Sequence, residues 1–205
     1  MKFIKILFIL FFLTSCNFQK KSEEKANLEI KSLNKKELES SNNIPNNQGE
    51  LIATIEFGIK ANAEELKDFE DGIIPWISIE NPENEISRLI EANKIVIPYS
   101  EITLIIDYPL NKPAGFLLKS SEKGFTKKQL TIEISKKYHE IYEVEEGSAK
   151  TKTIPVEKRE GLINRNETDG KYGIWGHDIG DLDLSSVQVY KTKNGKVTIL
   201  LGIES

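Results

Sequence analysis

Residues 124–147 read GFTKKQLTIEISKKYHEIYEVEEG, and their spacing decides the fold class. At about 100° per residue, Leu130, Ile134, Tyr138, Ile141 and Tyr142 share one face, with His139, Glu143 and Glu146 opposite. Thr126 stands before this stripe with Gln129 three residues on, a capping-box pattern, and Phe125 is placed to staple onto Leu130. Gly147 supplies a stop. The spacing predicts one long amphipathic helix over about Thr126–Glu146. One feature works against it. Lys127 and Lys128 sit at the positive end of the helix dipole, and Glu143, Glu145 and Glu146 at its negative end. Each such charge costs about 0.3–1 kcal/mol when exposed. Conflicts of this kind mark either solvated charges or helix ends paired with a partner.

On both sides of the helix the apolar residues alternate instead. Leu51, Ala53, Ile55 and Phe57 recur with period two, which predicts a half-buried strand. Ala63–Glu70, capped by Asn62, and the segment opened by Asn81-Pro82, with Ile86, Leu89 and Ile90 on one side, read as short helices. Pro75 limits Ile73–Ile79 to an edge or irregular strand. Lys94–Pro98, Glu101–Leu110 and Ala114–Lys119 complete the strands before the helix. After it, Ser186–Lys191 and Lys196–Ile203 flank Asn194-Gly195, a strong hairpin signal. A two-residue turn there sets Tyr190 opposite Ile199 and Val189 opposite Leu200, with both faces partly apolar, as in strands inside a sheet. The result is an α+β domain over residues 49–205, a mostly antiparallel sheet packed against one long helix and closed by a C-terminal hairpin.

The chain has 205 residues, 39% apolar and 29% charged, with a formal charge of −4. A mildly acidic domain lacks the Lys and Arg excess that grips phosphates, which argues against nucleic-acid binding. Cys16 is the only cysteine, so the domain has no disulfide, thiolate nucleophile or cysteine-ligated zinc.

That cysteine follows a leader. Lys2 and Lys5 precede the apolar run Ile6–Leu13, then Leu13-Thr14-Ser15-Cys16, a secretory pattern too short to span a bilayer stably. The last four residues resemble the lipobox of bacterial lipoproteins. The resemblance implies lipidation of Cys16, removal of residues 1–15 and a membrane-anchored, exported protein of the cell envelope. Several acyl chains on one residue anchor stably, where one is marginal. Residues 17–48 are rich in Lys, Glu, Ser and Asn, and Leu28, Ile30, Leu33 and Leu38 are too sparse for a core. They read as a flexible tether of about 30 Å root-mean-square reach, with a helix over Leu28–Leu38 marginal on its own.

The chemistry-bearing residues concentrate in NRNETDGKYGIWGHDIGDLDL, residues 164–184, with five carboxylates, four glycines, Trp175 and His177. Gly176-His177-Asp178 resembles the metal-binding pair of HD-domain phosphohydrolases. That pair lies within a helix, and glycines 170, 173, 176 and 180 disfavour one here. An EF-hand alignment on Gly170 puts Arg165 at the first ligand position and Gly176 at the last, and both are wrong. Two readings stay open. In one, His177 is a general base or metal ligand with Asp178 and Asp181 as ligands for a divalent cation, giving a metal-assisted hydrolase; Arg165 is placed to grip an anion, with Tyr172 and Trp175 lining a ligand. In the other, Tyr172 and Trp175 plug the core, the carboxylates make turn and cap hydrogen bonds, and no cofactor is required. His139 with Glu143 and Glu146 forms a second, weaker divalent set on the long helix.

Gly124-Phe125-Thr126, Tyr138-His139-Glu140-Ile141-Tyr142-Glu143 and the 164–184 segment are also similar to an uncharacterised family with a YGIWGHD..DL motif, over about Tyr108–Val189. That resemblance implies a domain that elsewhere occurs without a leader, and it assigns no residue a role. The expectation from the sequence is an envelope lipoprotein whose domain binds an unknown protein or small molecule, with the hydrolase as alternative.

Overall fold

A computed structural model describes residues 24–25, 27–39, 48–121, 123–159 and 165–205. The leader 1–15, Cys16 and Asn164 lie outside the described residues. Among the described residues no helix is long and apolar enough to cross a membrane.

The domain is α+β. Its main sheet runs β1 (Glu50–Glu56), β9 (Asp183–Lys191), β10 (Val197–Glu204), β6 (Glu101–Ile106) and β7 (Ala114–Lys119) in that order, and β4 (Ile77–Ser78) pairs with the start of β9. All its pairings are antiparallel except β10 with β6. Two small ladders flank it: β2 (Ile59–Lys60) with β3 (Ile73–Ile74), and β5 (Ile95–Ile97) with β8 (Phe125–Thr126). Pro75 separates β3 from β4, and Asn62, expected to cap a helix, instead accepts from Glu64 N–H and Glu65 N–H ahead of a 3-10 turn, Glu65–Lys67, whose N-cap is Glu64. The Asn81-Pro82 segment is likewise a 3-10 turn, Pro82–Asn84.

The long helix, α2, spans Lys127–Ser148. Thr126 and Gln129 form the reciprocal capping box, and Leu130, Ile134, Tyr138 and Ile141 are fully buried. They pack in one core with Ile102, Leu104 and Ile106 of β6, Val187 and Val189 of β9, and Val197 and Ile199 of β10. Gly147 does not end the helix. It continues to Ser148, and Ala149 caps it through a bond to the Glu145 carbonyl.

Two local expectations are corrected. Tyr190 pairs with Thr198 and Val189 with Ile199, one residue off the expected register. A two-residue Asn-Gly turn of the twisted type needs positive φ at both residues. Here only Gly195 takes positive φ (+87), Thr192 pairs with Lys196, and the loop is a three-residue turn closed by a glycine bulge. In β1 the pairing shifts between Leu51 and Ala53, so Ala53, Ile55 and Phe57 face inward while Leu51 is exposed.

In the segment expected to be a flexible tether, residues 27–39 form a helix, α1, that lies against the domain through Leu33 at Gly176 and Lys36 at Glu167. Glu29, Leu33 and Lys36, one face of it, are half-buried, while Leu28, Ile30 and Leu38 are exposed.

Candidate functional site

Residues 165–178 form a narrow loop inserted between α2 and residues 108–112. Arg165 and Gly176 pair through both backbone groups, and Thr168 N–H bonds to the Ile174 carbonyl. On the far side, Asn111 and Lys112 donate to the carbonyls of Gly173 and Tyr172, and Trp175 N–H donates to that of Pro109. Glu145 holds the tip. Its fully buried carboxylate accepts from Thr168 Oγ1 (2.7 Å), Gly170 N (2.8 Å), Tyr172 N (2.7 Å) and Gly173 N (3.2 Å). Burial pushes its pKa up, but these hydrogen bonds outweigh it and hold the group below the ordinary glutamate value. The glycines earn their places by approach: a Cβ at Gly170 would meet the Glu145 carboxylate at 2.7 Å, and one at Gly173 (φ +68) would meet Asn111 Nδ2 at 2.8 Å.

Trp175 and His177 face Tyr108 because Gly176, at φ +70, lets His177 N–H turn back onto the Trp175 carbonyl at 2.8 Å. Tyr108 meets Trp175 edge-on at 5.1 Å between centroids and His177 at 5.5 Å. Its hydroxyl is 2.9 Å from His177 Nε2 and 2.8 Å from Ser205 Oγ. Tyr142 donates to the His177 carbonyl. Burial lowers the His177 pKa below the ordinary histidine value, opposed by the charges of Asp181, Glu37 and Asp178. Among the described residues, three buried nitrogens here have no hydrogen-bond partner: Arg165 Nε, Trp175 Nε1 and His177 Nδ1.

The acids beside His177 are engaged elsewhere. Asp178 accepts from Arg159 through both Nη atoms and from Arg165 Nη1 at 3.2 Å, and the Arg165 guanidinium lies over the Tyr142 ring. Burial raises the Asp178 pKa, but the two arginines outweigh it and lower it overall. Asp181 accepts from Asp178 N at 2.8 Å and closes a capping box on the 3-10 turn Ile179–Asp181. Asp183 is separate, at the start of β9, where burial and the nearby carboxylates of Glu85 and Glu204 push its pKa up to about 6.

The structure therefore brings Arg165, Trp175, His177, Asp178 and Asp181 into one neighbourhood. Tyr172 is buried at the other end of the loop, its N–H on Glu145. His139 contacts the Glu80 carbonyl through Nε2 at 2.8 Å, and Glu146 pairs with Lys152, so that second set is dispersed. Among the described residues no three His, Cys, Asp or Glu side chains stand close enough to hold a metal ion. Sequence reasoning gave Glu145 no role beyond a charge at the unfavourable helix end, and passed over Asn111 and Tyr108. For Glu145 a signal existed: an acid at the wrong end of a helix dipole. No protein-family model matches the chain, and no curated protein or solved structure matches it significantly.

Proposed function

We propose that the protein is a lipoprotein held at the cell envelope through Cys16, whose domain binds a protein or small-molecule ligand and catalyses no reaction. The observation that carries the anchor is Leu13-Thr14-Ser15-Cys16 after an apolar leader, with the sole cysteine at the position the motif lipidates. Binding without catalysis is supported by how three acids at and around the loop are used. Asp178 neutralises two guanidinium groups, Asp181 caps a turn and Glu145 folds the loop tip, so each acid holds a shape. Replacing Cys16 by Ser tests the anchor: the protein shifts from the membrane fraction to the soluble fraction. Unchanged membrane partition would remove the lipid reading.

One observation favours a second reading, a metal-assisted hydrolase on His177, Asp178 and Asp181: the buried, unpartnered Nδ1 of His177. That reading requires Asp178 to exchange two arginines for a cation. Thermal melts with Mn²⁺, Zn²⁺ or Ca²⁺ separate the two. Unchanged melting supports the binding reading, and metal stabilisation that disappears in His177→Ala supports the hydrolase.

A further inference from the structure

The charges of the domain are divided between its two ends. At one end the β9–β10 turn, the start of β6, the end of β7 and the start of α2 come together. Lys191 pairs with Glu50 and with Val197, and its Nζ donates to Tyr99 Oη at 3.1 Å. Ser120 N–H donates to the Ser100 carbonyl, and Ile97 pairs with Phe125, beside the cap of α2. This rim carries Lys191, Lys193 and Lys196 on the hairpin, Lys119 and Lys123 at and after the end of β7, and Lys128 in the first turn of α2. All but Lys191 are exposed. Among the described residues Lys119 pairs with Glu101, while Lys123, Lys128, Lys193 and Lys196 make no ion pair. The acids of the rim are Glu50 and Glu101, with Glu91 close by and held by Lys94; Glu122 lies outside the described residues.

The opposite end is acidic. Glu167, Asp169, Asp178 and Asp181 surround the candidate loop, and Asp183 pairs across the sheet with Glu204. Helix α2 joins the two ends, and the charges that its dipole disfavours act in one sense. Lys127 and Lys128 add to its positive end at the rim, and Glu143 and Glu146 add to its negative end beside the loop. A pattern that costs the helix at both termini builds a field directed along the whole molecule, felt by whatever lies beyond the rim. The rim is also not purely polar. Ile52, exposed on β1, shares a concavity of about 690 Å³ with Lys191 and Lys193. Lys119 and Lys128 flank a second, of about 230 Å³, and Ile95 stands exposed beside Thr126.

We propose that this lysine rim is a membrane-facing surface that binds anionic phospholipid headgroups. Charge complementarity selects an anionic partner, and the isoleucines exposed among the lysines suit the interface of a bilayer, where ammonium groups meet phosphates and apolar side chains meet the acyl boundary. The inference rests on the anchor reading above, which places a bilayer beside the domain. It adds an orientation to that reading: the acyl chains hold the protein at the membrane, the rim faces the headgroups, and the acidic end with the candidate loop is repelled and faces away.

The test uses the chain from residue 16 onward with Cys16→Ser, which has no acyl group, and cosedimentation with vesicles of phosphatidylcholine alone or with about 30% phosphatidylglycerol. At low salt the protein binds the anionic vesicles and not the neutral ones, and about 0.5 M salt releases it. Lys123→Gln, Lys193→Gln and Lys196→Gln together weaken binding by about a hundredfold, at about fivefold for each lysine at the surface. The same three changed to Arg keep it. Lys112→Gln, Lys150→Gln and Lys171→Gln, which alter the net charge equally at the loop end, leave it within about twofold. Equal binding to the two kinds of vesicle, or equal loss in the two Gln triples, overturns the proposal. A single-stranded oligonucleotide that binds more tightly than the vesicles through the same three lysines assigns the rim to nucleic acid and also overturns it. The anchor is read separately, in membranes washed with about 0.5 M salt, where the rim is screened and acyl chains are not. A failed rim therefore leaves the lipid at Cys16 standing, and a failed lipid leaves vesicle binding measurable.

Discussion

Glu145 carries a charge that its own helix disfavours, and the fold keeps it because four donors from another part of the chain converge on it. Glu145→Gln turns an all-acceptor group into one that presents N–H to N–H, and is expected to destabilise the domain by about 2–4 kcal/mol, measured by denaturant unfolding. Because its folded pKa lies below the ordinary glutamate value, the unfolded chain binds the proton first as pH falls. Its contribution is complete above the ordinary value and is lost as pH drops through the lowered one, so acid lability below that range is blunted in the variant. Asp183 has the opposite sign. Held at about 6, it binds its proton in the folded state before the unfolded chain does, so stability falls as pH rises from its ordinary value to about 6. Asp183→Asn is expected to raise stability at pH 7 by about 1 kcal/mol, discounted for its partial exposure, and to change little at pH 4. Melting temperatures at the two pH values check this.

Among the elements, α2 and the hairpin were legible in the sequence for a local reason. A capping box, an i, i+4 stripe and an Asn-Gly turn are written within a few residues of one another. Thr126→Ala is expected to cost about 1 kcal/mol, read by thermal unfolding, because Gln129 N–H loses its Oγ1 acceptor. What the sequence hid is non-local. The hairpin register depends on whether Asn194 joins Gly195 at positive φ, and it does not. The bulge that turns Leu51 outward depends on pairing with β9, far along the chain. The candidate loop was visible as a Gly- and aromatic-rich run containing His177, but its partners Tyr108, Asn111 and Glu145 are distant in sequence, and no spacing rule links them to it. The helix over Leu28–Leu38 was legible as a marginal segment. Its docking was not, because it depends on Glu167 and Asn111.

On the scale of the whole molecule, α1 lies against the loop that carries His177, with Leu33 over Gly176 and Lys36 on Glu167. Leu33→Asp is expected to increase amide exchange across residues 27–39 at least tenfold while leaving α2 protected. Loss of protection throughout the domain would instead make α1 part of the fold itself.

Native mass spectrometry of the protein extracted in detergent from its own membranes is the most direct test of an anchored binding protein. The expected spectrum is a chain beginning at Cys16, carrying acyl chains and retaining a bound polypeptide or small molecule. An unacylated chain that still contains residues 1–15, or one whose sole companion is a stoichiometric metal ion lost in His177→Ala, would contradict it.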